Sequence, residues 1–387
     1  MATTPLIPDA EFEQRWQTLQ EKMAENDLDV VIAHGHEADP ANVRYLSDYW
    51  PLFETGGVAV GRSGEPVLLI GPESLTFAED RSRIPTIMQV LEYRESAEPD
   101  YPGMELDSFE DVFAAVAGGE VSRIGIAGLS VMPMTIYSAI EEAAGEAEVV
   151  RADDLLTEMR QIKSESEIAC MREAFRISEE ATEVVLEEMK PGMTEQQVVG
   201  IAQGAMYAAG AEYEGHPTYV LSAEASTHAI GRPSPKELRQ GEMIQLNIGA
   251  LVSGYSSSVG RPVCFGPMPD AMRELVEVGL EAHHKTMELM RAGIPAKEVV
   301  IKYEEFIEEK GYAENLLYGP CHAIGLMEVE RPWMESSSEY LLEENMTFQV
   351  DTFLYTEDFG LRWEDGVRVT SGGVEMLSDR FLEVIEL

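Results

Sequence analysis

The composition of the chain changes near residue 155, and this change predicts two domains with a boundary near residue 157. Before it, short apolar runs at residues 30–33, 66–70 and 123–127 alternate with segments of helical spacing. Strands separated by helices predict an α/β domain over residues 1–156. After it, residues 155–188 are charged, lack proline and have a helical pattern. Strand-like stretches between helices then predict an α+β domain over residues 157–387.

Local signals indicate several elements of the second domain. Thr194, with Gln197 three residues later, is typical of a capping box and predicts the start of a helix. A further helix is predicted over residues 268–292. Strands are predicted at residues 218–222, 243–250, 260–265, 347–354 and 367–370.

The charge balance excludes some classes of partner. The chain has 28 Lys and Arg against 71 Asp and Glu, a net charge of −43. Such a surface repels nucleic-acid phosphates and anionic membranes, so neither is expected to bind. The acidity fits a protein hydrated in high salt or an ordinary acidic cytosolic protein, and both interpretations stay open.

No apolar run reaches the length of a membrane-spanning helix, and the amino terminus lacks the pattern of a signal peptide. Three cysteines, Cys170, Cys264 and Cys321, are too few for a disulfide framework. These observations predict a cytoplasmic protein.

Common catalytic signatures are absent, including the Walker phosphate loop, G-x-S-x-G, H-E-x-x-H and C-x-x-C. Polar residues instead concentrate in four segments of the second domain, residues 227–233, 245–261, 319–326 and 348–365. Candidate functional residues are therefore expected there.

The order of these segments resembles the pita-bread metallopeptidase family, which includes Xaa-Pro dipeptidase, aminopeptidase P, methionine aminopeptidase and the metal-free creatinase. Residues 159–168 (MRQIKSESEI) and 190–195 (KPGMTE) are similar to the first helices of its catalytic domain, and residues 42–46 (NVRYL) to its prolidase and creatinase branch. The resemblance implies a ribonuclease-H-like α/β amino-terminal domain of creatinase type, a pita-bread α+β carboxyl-terminal domain, and a homodimer.

The resemblance also implies positions for metal ligands. Peptidases of this family hold two ions with two Asp, one His and two Glu. In this sequence the two Asp positions fall on Asn247 and Ser258, the His on His322, and the two Glu on Asp351 and Glu364. Because Asn and Ser bind such ions weakly as neutral ligands, the two-ion centre is not expected here. The expected cofactor is none, or one divalent ion of Mn, Fe or Zn.

Three hypotheses follow for the function. The first is creatinase-like hydrolysis of a C–N bond in a small molecule or short peptide without metal, with His322 or His228 as the general base and Asp351 and Glu364 orienting the substrate. The second is a mononuclear Xaa-Pro-type peptidase that binds one ion through His322, Asp351 and Glu364. The third is a family member that has lost catalysis and acts as a binding protein.

Five further residues are predicted to contact the substrate. Asn247 and Ser258 take the places of metal ligands, and Tyr255 lies close to Ser258 in sequence. Arg362 and Arg232 are cations near the acidic positions and are candidates for neutralising them or a substrate carboxylate.

Overall fold

The computed structural model describes residues 4–387. The chain divides into two compact units, residues 7–160 and residues 161–387, and residues 4–6 belong to the second unit rather than to the predicted amino-terminal domain. There the carbonyl of Pro5 accepts a hydrogen bond from Ser253 Oγ at 2.8 Å. Within residues 4–387, each helix is too short or too polar to cross a lipid bilayer.

The amino-terminal unit is built on a mixed six-stranded sheet in the order β4-β3-β2-β1-β5-β6. The strands are β1 (Val30–Gly35), β2 (Gly56–Gly61), β3 (Val67–Ile70), β4 (Ile87–Gln89), β5 (Arg123–Ala127) and β6 (Glu148–Arg151). The helices are α1 (Asp9–Glu25), α2 (Ala41–Ser47), α3 (Leu75–Arg81), α4 (Phe109–Val116), α5 (Met134–Ala144) and α6 (Asp153–Gln161). The predicted strands at residues 30–33, 66–70 and 123–127 are confirmed as β1, β3 and β5.

Strand β1 is central because it pairs antiparallel with β2 and parallel with β5. All six of its residues are buried, which explains a continuous apolar run rather than an alternating one. One helix that packs in this unit, α1, buries Phe12, Trp16, Leu19 and Met23 at helical spacing.

His34 in β1 predicts a pH dependence of folding. The side chain is fully buried, and burial, with a smaller effect of His36, lowers the pKa of His34 from 6.5 to about 4. Between these pH values the unfolded chain binds the proton more readily than the folded one, so stability falls as pH drops. We expect His34 to account for a loss of about 3 kcal/mol of unfolding free energy over this window.

The measurement is urea unfolding at several pH values, followed by tryptophan fluorescence, for the wild type and His34→Leu. The difference between the two proteins should vary with pH between 6.5 and 4 and be constant above 6.5. A difference that does not vary with pH would show that His34 is not held neutral by the fold.

The carboxyl-terminal unit contains two sheets, one of three strands in the order β11-β10-β7 and one of nine strands. The strands are β7 (Tyr213–Glu214), β8 (Tyr219–Ser222), β9 (Met243–Ile248), β10 (Ala250–Val252), β11 (Tyr255–Ser256), β12 (Val259–Cys264), β13 (Cys321–Ala323), β14 (Glu330–Trp333), β15 (Thr347–Tyr355), β16 (Gly360–Thr370), β17 (Gly373–Met376) and β18 (Ile385–Glu386). The helices are α7 (Glu165–Glu188), α8 (Glu195–Ala209), α9 (Asp270–Leu289) and α10 (Ala296–Glu309). Short 3₁₀ helices across the two units span Leu91–Tyr93, Leu129–Val131, Ala223–Thr227 and Ala313–Asn315.

The predicted continuous helical segment at residues 155–188 is interrupted. Helix α6 ends at Gln161, and α7 begins only at Glu165. The reason is Ser164, whose side chain accepts a hydrogen bond from the backbone of Glu167, while the Glu167 carboxylate accepts one from the Ser164 backbone. This capping box starts a new helix, as the predicted box of Thr194 and Gln197 does for α8.

The nine-stranded main sheet runs in the order β14-β13-β15-β16-β12-β9-β8, and its other two strands, β17 and β18, pair with β16 and β12. Helices α7 and α8 pack against β8, β9 and β10, and helices α9 and α10 share cores with β13, β15 and β16. The five neighbouring strands β13, β15, β16, β12 and β9 carry or adjoin every residue that the family resemblance aligned with a metal ligand. The topology therefore gathers residues far apart in sequence.

Candidate active site

The register of the main sheet brings the aligned positions together. Asp351 on β15 lies opposite Glu364 on β16. Gly260 on β12 lies opposite Glu364 on one side and Asn247 on the other. Ser258 comes directly before β12, and His322 lies on β13 beside β15. Side chains from four strands, with that of Ser258 just before a fifth, thus meet at one place.

A cavity of about 310 Å³ lies at this place. Half of its wall is aromatic or aliphatic, and the polar half includes three acids, two histidines and an arginine. The lining residues are His216, Tyr219, Ala229, Ile230, Asn247, Leu317, Tyr318, His322, Glu328, Val329, Trp333, Asp351, Arg362 and Glu364. An apolar pocket with a few converging polar groups is the usual form of a small-molecule site.

Asn247 and Ser258 act as hydrogen-bond donors to the Glu364 carboxylate. Asn247 Nδ2 lies 2.6 Å from Glu364 Oε2, and Ser258 Oγ lies 3.0 Å from the same oxygen. Asn247 Nδ2 also reaches Ser258 Oγ at 3.2 Å. All three residues are buried, so the contacts are shielded from water. The two neutral replacements therefore stabilise the charge of Glu364.

The His322 imidazole is fixed from two directions. Its Nδ1 lies 3.1 Å from the Ala323 carbonyl, which can only accept a hydrogen bond, so Nδ1 carries a proton. Its ring stacks on Trp333 with centroids 5.2 Å apart. Its Nε2 lies 3.6 Å from Glu328 Oε1 and 3.9 Å from Glu364 Oε1. The Nε2 atom therefore faces the acids of the cavity.

Glu328 and Glu364 differ in protonation. Burial, the Glu364 charge and a hydrogen bond to Glu364 raise the pKa of Glu328 well above its usual value. Burial also acts to raise the pKa of Glu364, but the charges of Arg362 and His322 outweigh it, and the pKa of Glu364 is lowered. The opposite shifts favour the proton on Glu328 and the charge on Glu364.

Asp351 is engaged by different partners. Its Oδ2 accepts a hydrogen bond from the Tyr318 hydroxyl at 2.7 Å, and its Oδ1 lies 3.1 Å from Arg362 Nε. Arg362 Nη2 also donates to the Tyr318 oxygen at 2.7 Å and to the Ala229 carbonyl at 2.9 Å. Asp351 and Arg362 thus form an ion pair in the cavity wall.

Four of the predicted site residues do not line the cavity. His228 and Arg232 are exposed, and neither contributes to the cavity wall. Tyr255 is 1% exposed and donates a hydrogen bond from its hydroxyl to Glu167 Oε1 at 2.7 Å. Ser258 is fully buried and contacts Glu364, a residue of the cavity wall, without lining the cavity itself.

Two titratable residues of the cavity were not among the sequence candidates. His216 lies in the wall, with Nε2 3.0 Å from Ser258 Oγ and Nδ1 2.8 Å from the Pro217 carbonyl, and burial lowers the pKa of His216. Gly249 makes room for it, since a Cβ there would lie 2.5 Å from the ring. Glu328 is an acid six residues after His322 in a mostly apolar segment, which is the signal that could have identified it.

The residues present do not fit two metal ions. Asn247 Nδ2 and Ser258 Oγ donate hydrogen bonds where two anionic ligands would be needed, and Asp351 is paired with Arg362. Within residues 4–387, the acids, cysteines and histidines that converge closely enough for one ion are His322, Glu328 and Glu364, with ligand atoms within 4.8 Å of one another. The mononuclear hypothesis assigned Asp351 as the third ligand, but the third acid of this set is Glu328.

Each of the two domains matches a known protein family. Residues 169–371 match metallopeptidase family M24, and residues 15–162 match the creatinase/prolidase N-terminal domain. The chain is 26% identical over 375 residues to the Xaa-Pro dipeptidase of Pyrococcus furiosus, covering 97% of this chain and 100% of that protein.

Solved structures resemble the whole chain. The X-Pro aminopeptidase of Thermotoga maritima superposes with a TM-score of 0.84 at 24% identity, covering 96% of this chain and 99% of that one. The prolidase of Pyrococcus horikoshii does so with a TM-score of 0.82 at 25% identity, covering 96% and 100%. The predicted creatinase-type amino-terminal domain and pita-bread carboxyl-terminal domain are confirmed. The chain therefore belongs to metallopeptidase family M24.

Proposed function

We propose that the protein is a hydrolase that cleaves a C–N bond of a small substrate, such as a short peptide or related amide, without a two-ion metal centre. The observation that carries the proposal is the arrangement around Glu364. The cavity keeps His322 and Glu364, and the two positions that would be metal ligands donate hydrogen bonds to Glu364 instead. The relatives named above, which are Xaa-Pro peptidases, support cleavage of a peptide-like bond.

His322 is the general base in this proposal. Because Nδ1 donates its N–H to the Ala323 carbonyl, Nε2 carries the lone pair. This lone pair faces the cavity and can take a proton from water. Glu328 and Glu364 both lie beside Nε2, and the charge of Glu364, whose pKa is lowered, stabilises the imidazolium that forms. The water is thereby activated next to the substrate.

The Asp351–Arg362 pair offers both signs of charge on one wall. A substrate with an ammonium and a carboxylate group, as in a dipeptide, matches this arrangement. The cavity mouth carries the exposed apolar side chains of Ile230, Leu317 and Val329, which suit an apolar side chain of the substrate.

The homodimer and the cytoplasmic location stay predictions.

The test is turnover by the purified full-length protein, in chelator and with Mn²⁺ or Zn²⁺, on Xaa-Pro dipeptides, other dipeptides, N-substituted amino acids and guanidines. On the substrate found, His322→Ala should lower kcat/KM by about 100-fold or more, because it removes the general base. The matched control is His284→Ala on α9, an exposed histidine outside the cavity, which should leave kcat/KM unchanged.

Unchanged turnover in His322→Ala would contradict this mechanism. A protein that turns over nothing in the panel but binds a protein partner would instead fit the binding-protein hypothesis. His228→Ala is measured in the same assay. A loss of turnover in this variant would show that the exposed His228 takes part in the reaction.

A further inference from the structure

Three ligand-type atoms, from His322, Glu328 and Glu364, converge in the cavity wall. His322 Nε2 has two carboxylate oxygens at 3.6 Å and 3.9 Å, from Glu328 and Glu364. The imidazole is 97% buried, since its exposed fraction is 3%, and its only hydrogen bond within residues 4–387 is made by Nδ1. An imidazole lone pair that faces two carboxyl groups is favourable when a cation lies among them.

The spacing fits a single ion. Ligand atoms that bind one tetrahedral ion with bonds of about 2.0–2.1 Å lie about 3.3 Å apart. The two distances from His322 Nε2 exceed this value by a few tenths of an ångström. One imidazole and two carboxylates are also a common set for divalent Mn, Fe and Zn. Metal binding displaces protons from its ligands, and once Glu328 has released its proton the two carboxylate charges match one dication.

Asn247 and Ser258 complete the arrangement without touching the ion position. Both donate to Oε2 of Glu364, which turns Oε1 toward His322. Hydrogen-bond partners of this kind orient a metal ligand and raise the affinity of a site. The replaced ligand positions therefore hold a remaining ligand in place.

Asp351 is not one of these three ligands. Its two oxygens are engaged by Tyr318 and Arg362, and the guanidinium beside it would repel an ion bound at Asp351 itself. Glu328 reaches the position from the loop between β13 and β14.

We propose that His322, Glu328 and Glu364 bind one divalent transition-metal ion, with Asn247 and Ser258 orienting Glu364. The proposal deepens the proposed function, on which it rests for any role in catalysis, and it changes the role of His322. With an ion bound, Nε2 would be a ligand and not the general base. Binding itself is measured without turnover. An ion here would polarise a water or a substrate carbonyl.

The test is titration of the chelator-treated full-length protein with Co²⁺, followed by its absorption spectrum and by calorimetry. We expect one equivalent of Co²⁺ per chain. Glu328→Gln and His322→Gln should each weaken binding by about 100-fold, and Asn247→Ala by about 10-fold, as for residues that orient a ligand. Circular dichroism establishes that each variant is folded.

Two further variants sharpen the assignment. Asp351→Asn should still bind one equivalent, because Asp351 is not a ligand in this set. Glu335→Gln, an exposed acid of the segment after β14, is the matched control and should bind as the wild type does. Absence of binding in the wild type, two equivalents, or wild-type affinity in folded Glu328→Gln and His322→Gln would each overturn the proposal. Turnover in chelator with no Co²⁺ binding would overturn this site and leave the proposed function standing.

Discussion

The double variant Asn247→Asp, Ser258→Asp should bind two Mn²⁺ or Co²⁺ ions per chain, where the wild type binds no more than one. The reason lies in the Glu364 carboxylate, whose Oε2 faces positions 247 and 258 while its Oε1 faces His322. A carboxylate in this orientation can bridge two ions. The substitutions supply the two anionic ligands that a second ion requires.

Without metal the same variant should be strongly destabilised. Position 247 is 3% exposed and position 258 is fully buried. Two new carboxylates there would replace hydrogen-bond donors to Glu364 and repel its charge. Leaving such charges buried and unpaired costs about 3–5 kcal/mol of unfolding free energy, and Mn²⁺ should restore most of it.

The measurement is metal content by elemental mass spectrometry, with thermal unfolding in chelator and in Mn²⁺. The matched control is Asn247→Ala, Ser258→Ala, which removes the same hydrogen bonds and adds no charge, so it should gain no second ion. If the aspartate variant binds no more metal than this control, the side chains do not point at a common ion position.

Asp365→Asn should be the most destabilising single substitution close to the site. Asp365 is fully buried and accepts hydrogen bonds from Arg261 at 2.7 Å and 3.1 Å and from Ser378 at 2.7 Å, with His283 Nε2 at 3.0 Å. Burial alone would raise the pKa of Asp365, but Arg261 and His283 outweigh it and hold that pKa below its usual value.

Removing the Asp365 charge leaves the Arg261 guanidinium buried without its counter-ion. The expected loss is about 3–5 kcal/mol of unfolding free energy. Arg261 Nη1 also donates to the backbone carbonyl of Glu364 at 2.9 Å. The variant should therefore disturb the cavity as well as the stability of the domain.

Urea unfolding measures this loss, with Glu339→Gln as the control. Glu339 pairs with Lys297 at the surface, with side chains 83% and 38% exposed, and its loss should cost less than about 0.5 kcal/mol. Equal effects of the two variants would mean that the buried Arg261 finds other partners.

Local sequence patterns were sufficient for many of the helices and strands. The run at residues 30–33 predicted β1, and Thr194 with Gln197 predicted the start of α8. These signals depend on neighbours along the chain, so they are readable without the fold. The separation of α6 from α7 was missed, because Ser164 is a polar residue within a polar helical pattern until its capping contact with Glu167 is seen.

The sequence by itself determined the fold, since the order of motifs matches one family pattern, and within that pattern it predicted the functional positions Asn247, Ser258, His322, Asp351 and Glu364. Only the tertiary structure decided which of these groups act together. It paired Asp351 with Arg362, joined Glu328 to His322 and Glu364, and placed His216 in the wall while leaving His228 outside. The physical reason is that these contacts depend on strand register and loop path, which bring residues more than a hundred positions apart to within 3 Å.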